Sequence, residues 1–241
     1  MTKSTYKRPD GREYDETRKV EAEVGIIKNA DGSAMFSFGG SKAIAAVYGP
    51  RQLHPQHMQD PEQCVLRCIY DMLPFSVPER KRPGPARRSV EISYMTKKAL
   101  EPVLHLKSFP NTVIDVYIMI LQADASTRCA GINAASMALA NAGLSMNELV
   151  TSVSTGKIGD AIVVDLCKEE EDYKIKKDGI EIKAATDIPL AFLSRSGKIS
   201  LIQLDGNIKP EELKEAIALG KKAAEKITQV QIKALKKVNE D

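Results

Sequence analysis

Apolar residues gather first at 34–38 and 43–48, on either side of Gly39-Gly40. Two short runs around a glycine pair predict two strands joined by a turn, with Gly49-Pro50 ending the second. Another apolar run at 65–75 closes before Pro78. From 89 to 106 the spacing changes. Val90, Ile92, Met95, Ala99, Leu100, Val103 and Leu104 recur at the period of an amphipathic helix, which Pro102 is placed to kink or end. Residues 113–121 are β-branched and nearly continuously apolar, so they predict a central strand covered on both faces. A polar turn over 122–128 then leads into an Ala-rich helix at 131–142 that stops at Gly143.

The second half repeats the mixture. Segments 161–166, 188–193 and 199–204 are strand-like, the last two joined as a hairpin through Ser196-Gly197. Pro210-Glu211-Glu212 opens a long final helix expected to reach about Val238. Strands and helices interleave without a strict βαβ period, which predicts an α+β layered fold and not a doubly wound sheet.

Composition narrows this little further. At 43% hydrophobic residues the chain is globular, not disordered. No apolar run approaches the roughly 20 residues that span a bilayer, and the basic start of the chain has no apolar stretch after it. A soluble protein inside the cell is expected, with no membrane partner. Cys64, Cys68, Cys129 and Cys167 lack zinc-type spacing and read as small core residues.

Charge is informative only locally, because the net value is +3. Arg80, Lys81, Arg82, Arg87, Arg88, Lys97 and Lys98 form a basic stretch, and Glu169, Glu170, Glu171 and Asp172 an acidic one. Such a pair fits a site that grips phosphates and moves protons, or two solvated patches. The turn Ser126-Thr127-Arg128 stands where a buried strand delivers the chain into a helix N-terminus. Free backbone N–H groups, two hydroxyls and a guanidinium there would cradle an anion. An ordinary helix cap with an exposed arginine is the plainer reading of the same residues. Arg87-Arg88, at the end of a Pro/Gly-stiffened loop, suits successive phosphates of a single strand. No metal site is expected, since His54 and His57 have no further ligands nearby. A P-loop, a dinucleotide loop and a serine–histidine–acid grouping are also missing.

Taken in order, several stretches resemble the RNase PH family over nearly the whole chain. They include Arg8-Pro9-Asp10-Gly11-Arg12, Tyr48-Gly49-Pro50-Arg51, Leu73-Pro74-Phe75-Ser76 and Arg87-Arg88-Ser89-Val90-Glu91-Ile92. Leu121-Gln122-Ala123-Asp124, Gly131-Ile132-Asn133-Ala134-Ala135-Ser136 and Thr186-Asp187-Ile188-Pro189 complete the set. Pro83-Gly84-Pro85-Ala86-Arg87-Arg88 is similar to the archaeal exosome branch, and His54-Pro55-Gln56-His57 to that branch's channel loop.

The resemblance implies an RNase PH fold, ribosomal protein S5 domain 2-like, with β-sheet and helix layers in two halves. A single catalytic domain over 1–241 is expected, its halves at about 18–149 and 152–238. It implies phosphate binding by Ser126, Thr127 and Arg128, and RNA binding by Arg87 and Arg88. Asp172 is implied as general acid and Asp187 as the second active-site aspartate. The activity implied is phosphorolytic 3′→5′ degradation of single-stranded RNA to nucleoside diphosphates, reversible into tail addition. Inorganic phosphate is the co-substrate, with Mg²⁺ as a further aid. Implied partners are a catalytically degenerate paralogue, forming a hexameric ring of three heterodimers, and RNA-binding cap subunits, all in the cytoplasm. The alternatives are a transfer-RNA 3′-end processing enzyme, an inactive ring subunit and a metal-dependent hydrolytic nuclease.

Two departures from the family pattern stand out. Ser126 occupies a position that usually carries Gly, so a left-handed backbone there would be strained. Fourteen residues separate Asp172 from Asp187, more than is usual, and the excess reads as a hairpin around Asp178-Gly179; if it does not bulge clear, Glu170 or Glu171 takes the position given to Asp172.

Overall fold

The strand-like runs of the first half pair as a meander. β1 (Val20–Val24), β2 (Gly32–Phe38) and β3 (Ser41–Gln52) run antiparallel, with Phe38 opposite Ser41 across the Gly39-Gly40 turn. The computed structural model describes residues 6–177 and 180–237, with the backbone alone at 175–177 and 180–183. β4 (Val65–Met72) ends three residues earlier than its apolar run and lies parallel to β5 (Thr112–Gln122). Helix α1 (Arg87–Leu100) makes the crossover that parallel strands require. It stops two residues before Pro102, as the proline predicts. The sheet order is β1-β2-β3-β5-β4, so β5 is internal and buried at Val116, Ile118 and Ile120.

Helix α2 (Thr127–Asn141) begins four residues before the Ala-rich segment that predicted it. It packs against β2 and β3 on one side and β6 on the other. A helix between two sheets has no solvent face, and small side chains keep it thin enough to fit: Ala130, Gly131, Ala134, Ala135 and Ala138 are all buried. Gly32 shows how close the fit is. A Cβ there would lie 2.4 Å from the Ala138 carbonyl oxygen.

β6 (Val150–Ile158) and β7 (Ala161–Val164) continue the chain, followed by the single-turn helix α3 (Lys168–Glu171). β8 (Lys174–Lys177) and β9 (Ile180–Lys183) pair only with each other, with Lys177 opposite Ile180. The Asp178-Gly179 turn lies outside the described residues. At the hairpin's base the Ala184 N–H donates to the Tyr173 carbonyl at 3.0 Å, so the insertion leaves and returns at one point. β10 (Ala185–Leu193) and β11 (Ile199–Ile202) form the expected hairpin through Gly197 at φ +64°. The second sheet has the order β11-β10-β6-β7. α4 (Pro210–Lys237) covers β6, β7 and β1, and Val238, its expected end, lies outside the described residues.

Candidate active site

The end of β5 delivers Asp124, Ala125 and Ser126 to the start of α2 in an uncommon conformation. Ala125 (φ +53°) and Ser126 (φ +52°) are both left-handed, which costs non-glycine residues energy and persists only where neighbours impose it. Here they do. The Ser41 hydroxyl accepts from the Asp124 N–H at 2.8 Å and donates to the Ala125 carbonyl at 2.5 Å. Arg18 donates to the Asp124 carbonyl at 2.5 Å and to its carboxylate at 3.1 Å. The strain anticipated for Ser126 is therefore present, and is held from outside the turn.

The hydroxyls do other work than the one expected of them. Ser126 donates its hydroxyl to the Leu166 carbonyl at 3.2 Å, and Thr127 accepts from the Tyr70 hydroxyl at 2.9 Å. Burial pushes the Tyr70 phenol up to about 12, so it keeps the proton it donates. The Thr127 hydroxyl proton remains available. Among the described residues no acceptor meets the backbone N–H groups of Thr127 and Arg128, because no helix carbonyl reaches a first turn and the Ser126 side chain does not cap this one. Arg128 donates to the Gln203 side-chain oxygen and, at 3.3 Å, to Glu91, which fixes its guanidinium while leaving donors over.

A cleft of about 420 Å³ opens over this turn, lined also by Arg88, Lys168, Glu171 and Asp187. A larger hollow of about 640 Å³ lies elsewhere, between the start of β4 and residues 101–108, and contains none of the predicted site residues. Arg87 and Arg88 are not in the loop before α1 but in its first turn, both exposed. Neither has a hydrogen bond or ion pair among the described residues. Only Arg88 reaches the cleft wall.

The carboxylates are arranged differently from the expectation. Asp187, on β10, is partly buried, and its carboxylate accepts from the Ser154 hydroxyl. Burial pushes its carboxyl above the ordinary range, Ser154 and Arg128 pull back, and the nearby charges of Glu171 and Asp205 push further up. Asp172 follows the last residue of α3 and is exposed; its carboxylate pairs with Lys168 at 3.0 Å. Glu171, one residue earlier, faces the cleft instead. One turn of helix decides this, because adjacent residues on α3 point about 100° apart. Among the described residues no three His, Cys, Asp or Glu side chains gather as a metal cluster.

Two family models cover most of the chain: 3′ exoribonuclease family domain 1 matches residues 16–145, and domain 2 matches 148–223. The chain belongs to the 3′ exoribonuclease family. Its relatives include the exosome complex component Rrp41 of Methanopyrus kandleri, 48% identical over 95% of this chain and 92% of that one. The Rrp41 of Thermococcus gammatolerans is 51% identical over 95% and 88%. The fold is similar to that of rice Rrp46, with TM-score 0.80, 23% identity and coverage of 95% and 100%. It is also similar to the Archaeoglobus fulgidus exosome with RNA bound to the active site, with TM-score 0.76, 21% identity and coverage of 92% of each.

Sequence reading of this exoribonuclease missed Arg18, Tyr70, Ser154 and Lys168 at or beside the cleft. None stands out among neighbours of its kind. Arg18, Tyr70 and Ser154 act through side-chain contacts, and Lys168 through its backbone N–H, with residues tens of positions away, which no local pattern encodes.

Proposed function

We propose that this chain is the catalytic subunit of an archaeal-type exosome. It removes nucleotides from the 3′ end of single-stranded RNA by phosphorolysis, releases nucleoside diphosphates, and runs in reverse to extend tails. Its relatives at this identity are named exosome components. The observation that carries the reading is one cleft in which open helix N–H groups, Arg128 and Arg88 surround a carboxyl of raised proton affinity.

Thr127, Arg128 and the α2 N-terminus hold inorganic phosphate; Ser126 contributes its backbone and not its hydroxyl. Arg88, with Arg87 beside it, holds the RNA backbone. A phosphate oxygen attacks the terminal phosphodiester in line, the bond from phosphorus to the 3′ oxygen breaks, and that oxygen takes a proton. Positioning and charge neutralisation supply most of the acceleration. The environment favours Asp187 as the proton donor over Asp172, whose carboxylate is exposed and paired with Lys168. Mg²⁺ would be held through Glu171, the α3 carboxylate that lines the cleft, together with substrate phosphates, and would neutralise phosphate charge there.

RNA decay should require inorganic phosphate and yield nucleoside diphosphates, resolved by chromatography. Equal decay without phosphate, yielding monophosphates, refutes the proposal and favours a hydrolytic nuclease.

The same reading gives the chain a ring partner, a catalytically degenerate paralogue in three copies against three, with RNA-binding caps. Support comes from Val90 and Tyr94, exposed at 61% and 55% on α1, beside exposed Ile202 on β11 and Leu204 just beyond it. No helix among the described residues is long and apolar enough to cross a membrane, and the cytoplasm is the compartment this reading assigns. Light scattering after co-expression with the paralogue should show a hexamer; a monomer as the sole species contradicts the ring.

A further inference from the structure

Arg18 lies at the front of β1, outside the cleft, and its guanidinium is almost wholly buried. It makes two sets of contacts. Its backbone N–H and Nε donate to Asp165 Oδ2 at 2.8 and 2.9 Å, and its Nη2 donates to Asp165 Oδ1 at 2.7 Å. Its Nη1 reaches across to the Asp124 carbonyl and carboxylate. The two acids belong to different parts of the chain. Asp124 begins the strained turn into α2. Asp165 is left-handed (φ +54°), fully buried, and begins the segment that leads to α3. Asp124 closes the circuit: its other carboxylate oxygen accepts from the backbone N–H of Lys168 at 3.1 Å.

We infer that Arg18 is a positioning residue of the reaction, setting the separation between the phosphate-binding turn and the α3 segment that carries Glu171. A planar fork with donors on several nitrogens can hold two acids in one geometry, whereas an ammonium is a single point charge on a flexible stem. The surroundings keep the fork in place. A Cβ on Gly39 would come within 3.0 Å of the Arg18 side chain, and a Cβ on Gly40 within 2.8 Å of the Asp124 carboxylate. Arg12 adds charge from the same side, donating to the Asp165 carbonyl at 3.1 Å, and Arg8 anchors α3 through a buried ion pair with Glu170 at 2.9 Å. A strained turn persists only where its surroundings over-determine it, and Arg18 and Ser41 are what over-determine this one.

The inference rests on the phosphorolytic reading, and the experiment separates the two. Initial rates would be measured on the assembled complex carrying wild-type chain, Arg18→Lys, or Arg67→Lys. The last loosens a bidentate pair with Asp115 that lies outside the cleft. Arg18→Lys should raise the KM for phosphate about tenfold or more, as loss of alignment does, with the KM for RNA within a few-fold of wild type. Arg67→Lys should leave both unchanged. Because Arg18 acts through Asp124, Arg18→Lys and Asp124→Asn should be non-additive on the phosphate KM. Wild type without phosphate dependence sinks the phosphorolytic reading. A phosphate-dependent wild type whose Arg18→Lys variant loses only kcat, or only melting temperature, overturns the inference and leaves the reading standing. If Arg18→Lys fails to assemble, Asp124→Asn alone serves: an unchanged phosphate KM in that variant also overturns it.

Discussion

Asp187→Asn should lower the phosphorolytic rate by about 10²–10⁴-fold, the loss typical of removing a general acid. The 3′ oxygen of RNA leaves badly as an alkoxide, and Asp187 is the cleft carboxyl whose environment favours the protonated form. Burial is the largest cause, with Glu171 and Asp205 adding repulsion. The pH profile gives the sharper test. A proton donor works only while protonated, so activity should fall as pH rises through the raised Asp187 value, and Asp187→Asn should lose that limb. Asp172→Asn should slow the enzyme less, because Lys168 keeps its ion pair with Glu171 at 3.5 Å at the cleft wall, and should keep the limb. The reverse pattern, with the limb lost in Asp172→Asn, would assign the proton to Asp172.

Stability should move the other way. A folded carboxyl raised above its unfolded value favours the fold below the unfolded value, about 3.9 for Asp, and loses that advantage as pH rises through the folded value. At neutral pH wild type therefore bears the cost of a buried charge that Asn lacks. Asn still accepts the Ser154 hydrogen bond. Thermal melts should show Asp187→Asn at least as stable as wild type at neutral pH, with the difference vanishing in strong acid. A variant that is slow because it is unfolded would melt lower instead.

Arg128→Ala should raise the KM for phosphate or lower the rate by about 10²-fold, the scale of losing one preorganised charged donor. Its guanidinium is held by Glu91 and Gln203 beside the open N–H groups of α2, so it is aimed before phosphate arrives. Arg87→Ala with Arg88→Ala should chiefly weaken RNA binding, and with a strong salt dependence, because these exposed arginines pair with no acid among the described residues and are left to neutralise phosphates. Filter binding and phosphate titrations on the two variants should separate. Equal losses of RNA affinity would remove the division of labour.

The local patterns were readable where one segment answers to its own physics. Gly39-Gly40 turned the first strand pair, Pro102 stopped α1, and the apolar run of β5 announced an internal strand. These depend on backbone propensity and periodicity, which neighbours in sequence determine. β6 escaped detection because Thr151, Ser152, Ser154 and Thr155 make it look like a surface segment, yet all are buried. Asn133 on α2 exchanges hydrogen bonds with Ser152 at 2.7 Å, and Gln231 on α4 accepts from Thr151 at 2.9 Å. Polar side chains can line a core when distant partners satisfy them, and no window along the chain contains those partners.

The residue types of the site were legible for a similar reason: Ser126, Thr127 and Arg128 stand where a buried strand must meet a helix. Which atoms face the cleft was not. Ser126 turns its hydroxyl to Leu166, and Glu171 lines the cleft while Asp172 is exposed and paired with Lys168. Those choices follow from one helical turn, whose direction is set where Arg8 pairs with Glu170 and Arg18 with Asp165. Local pattern was enough for most strands and helices, for the internal strand β5, and for the expectation of an anion-binding turn before α2. Which carboxylates line the cleft was set in three dimensions, because buried ion pairs between residues more than a hundred positions apart orient the backbone that carries them.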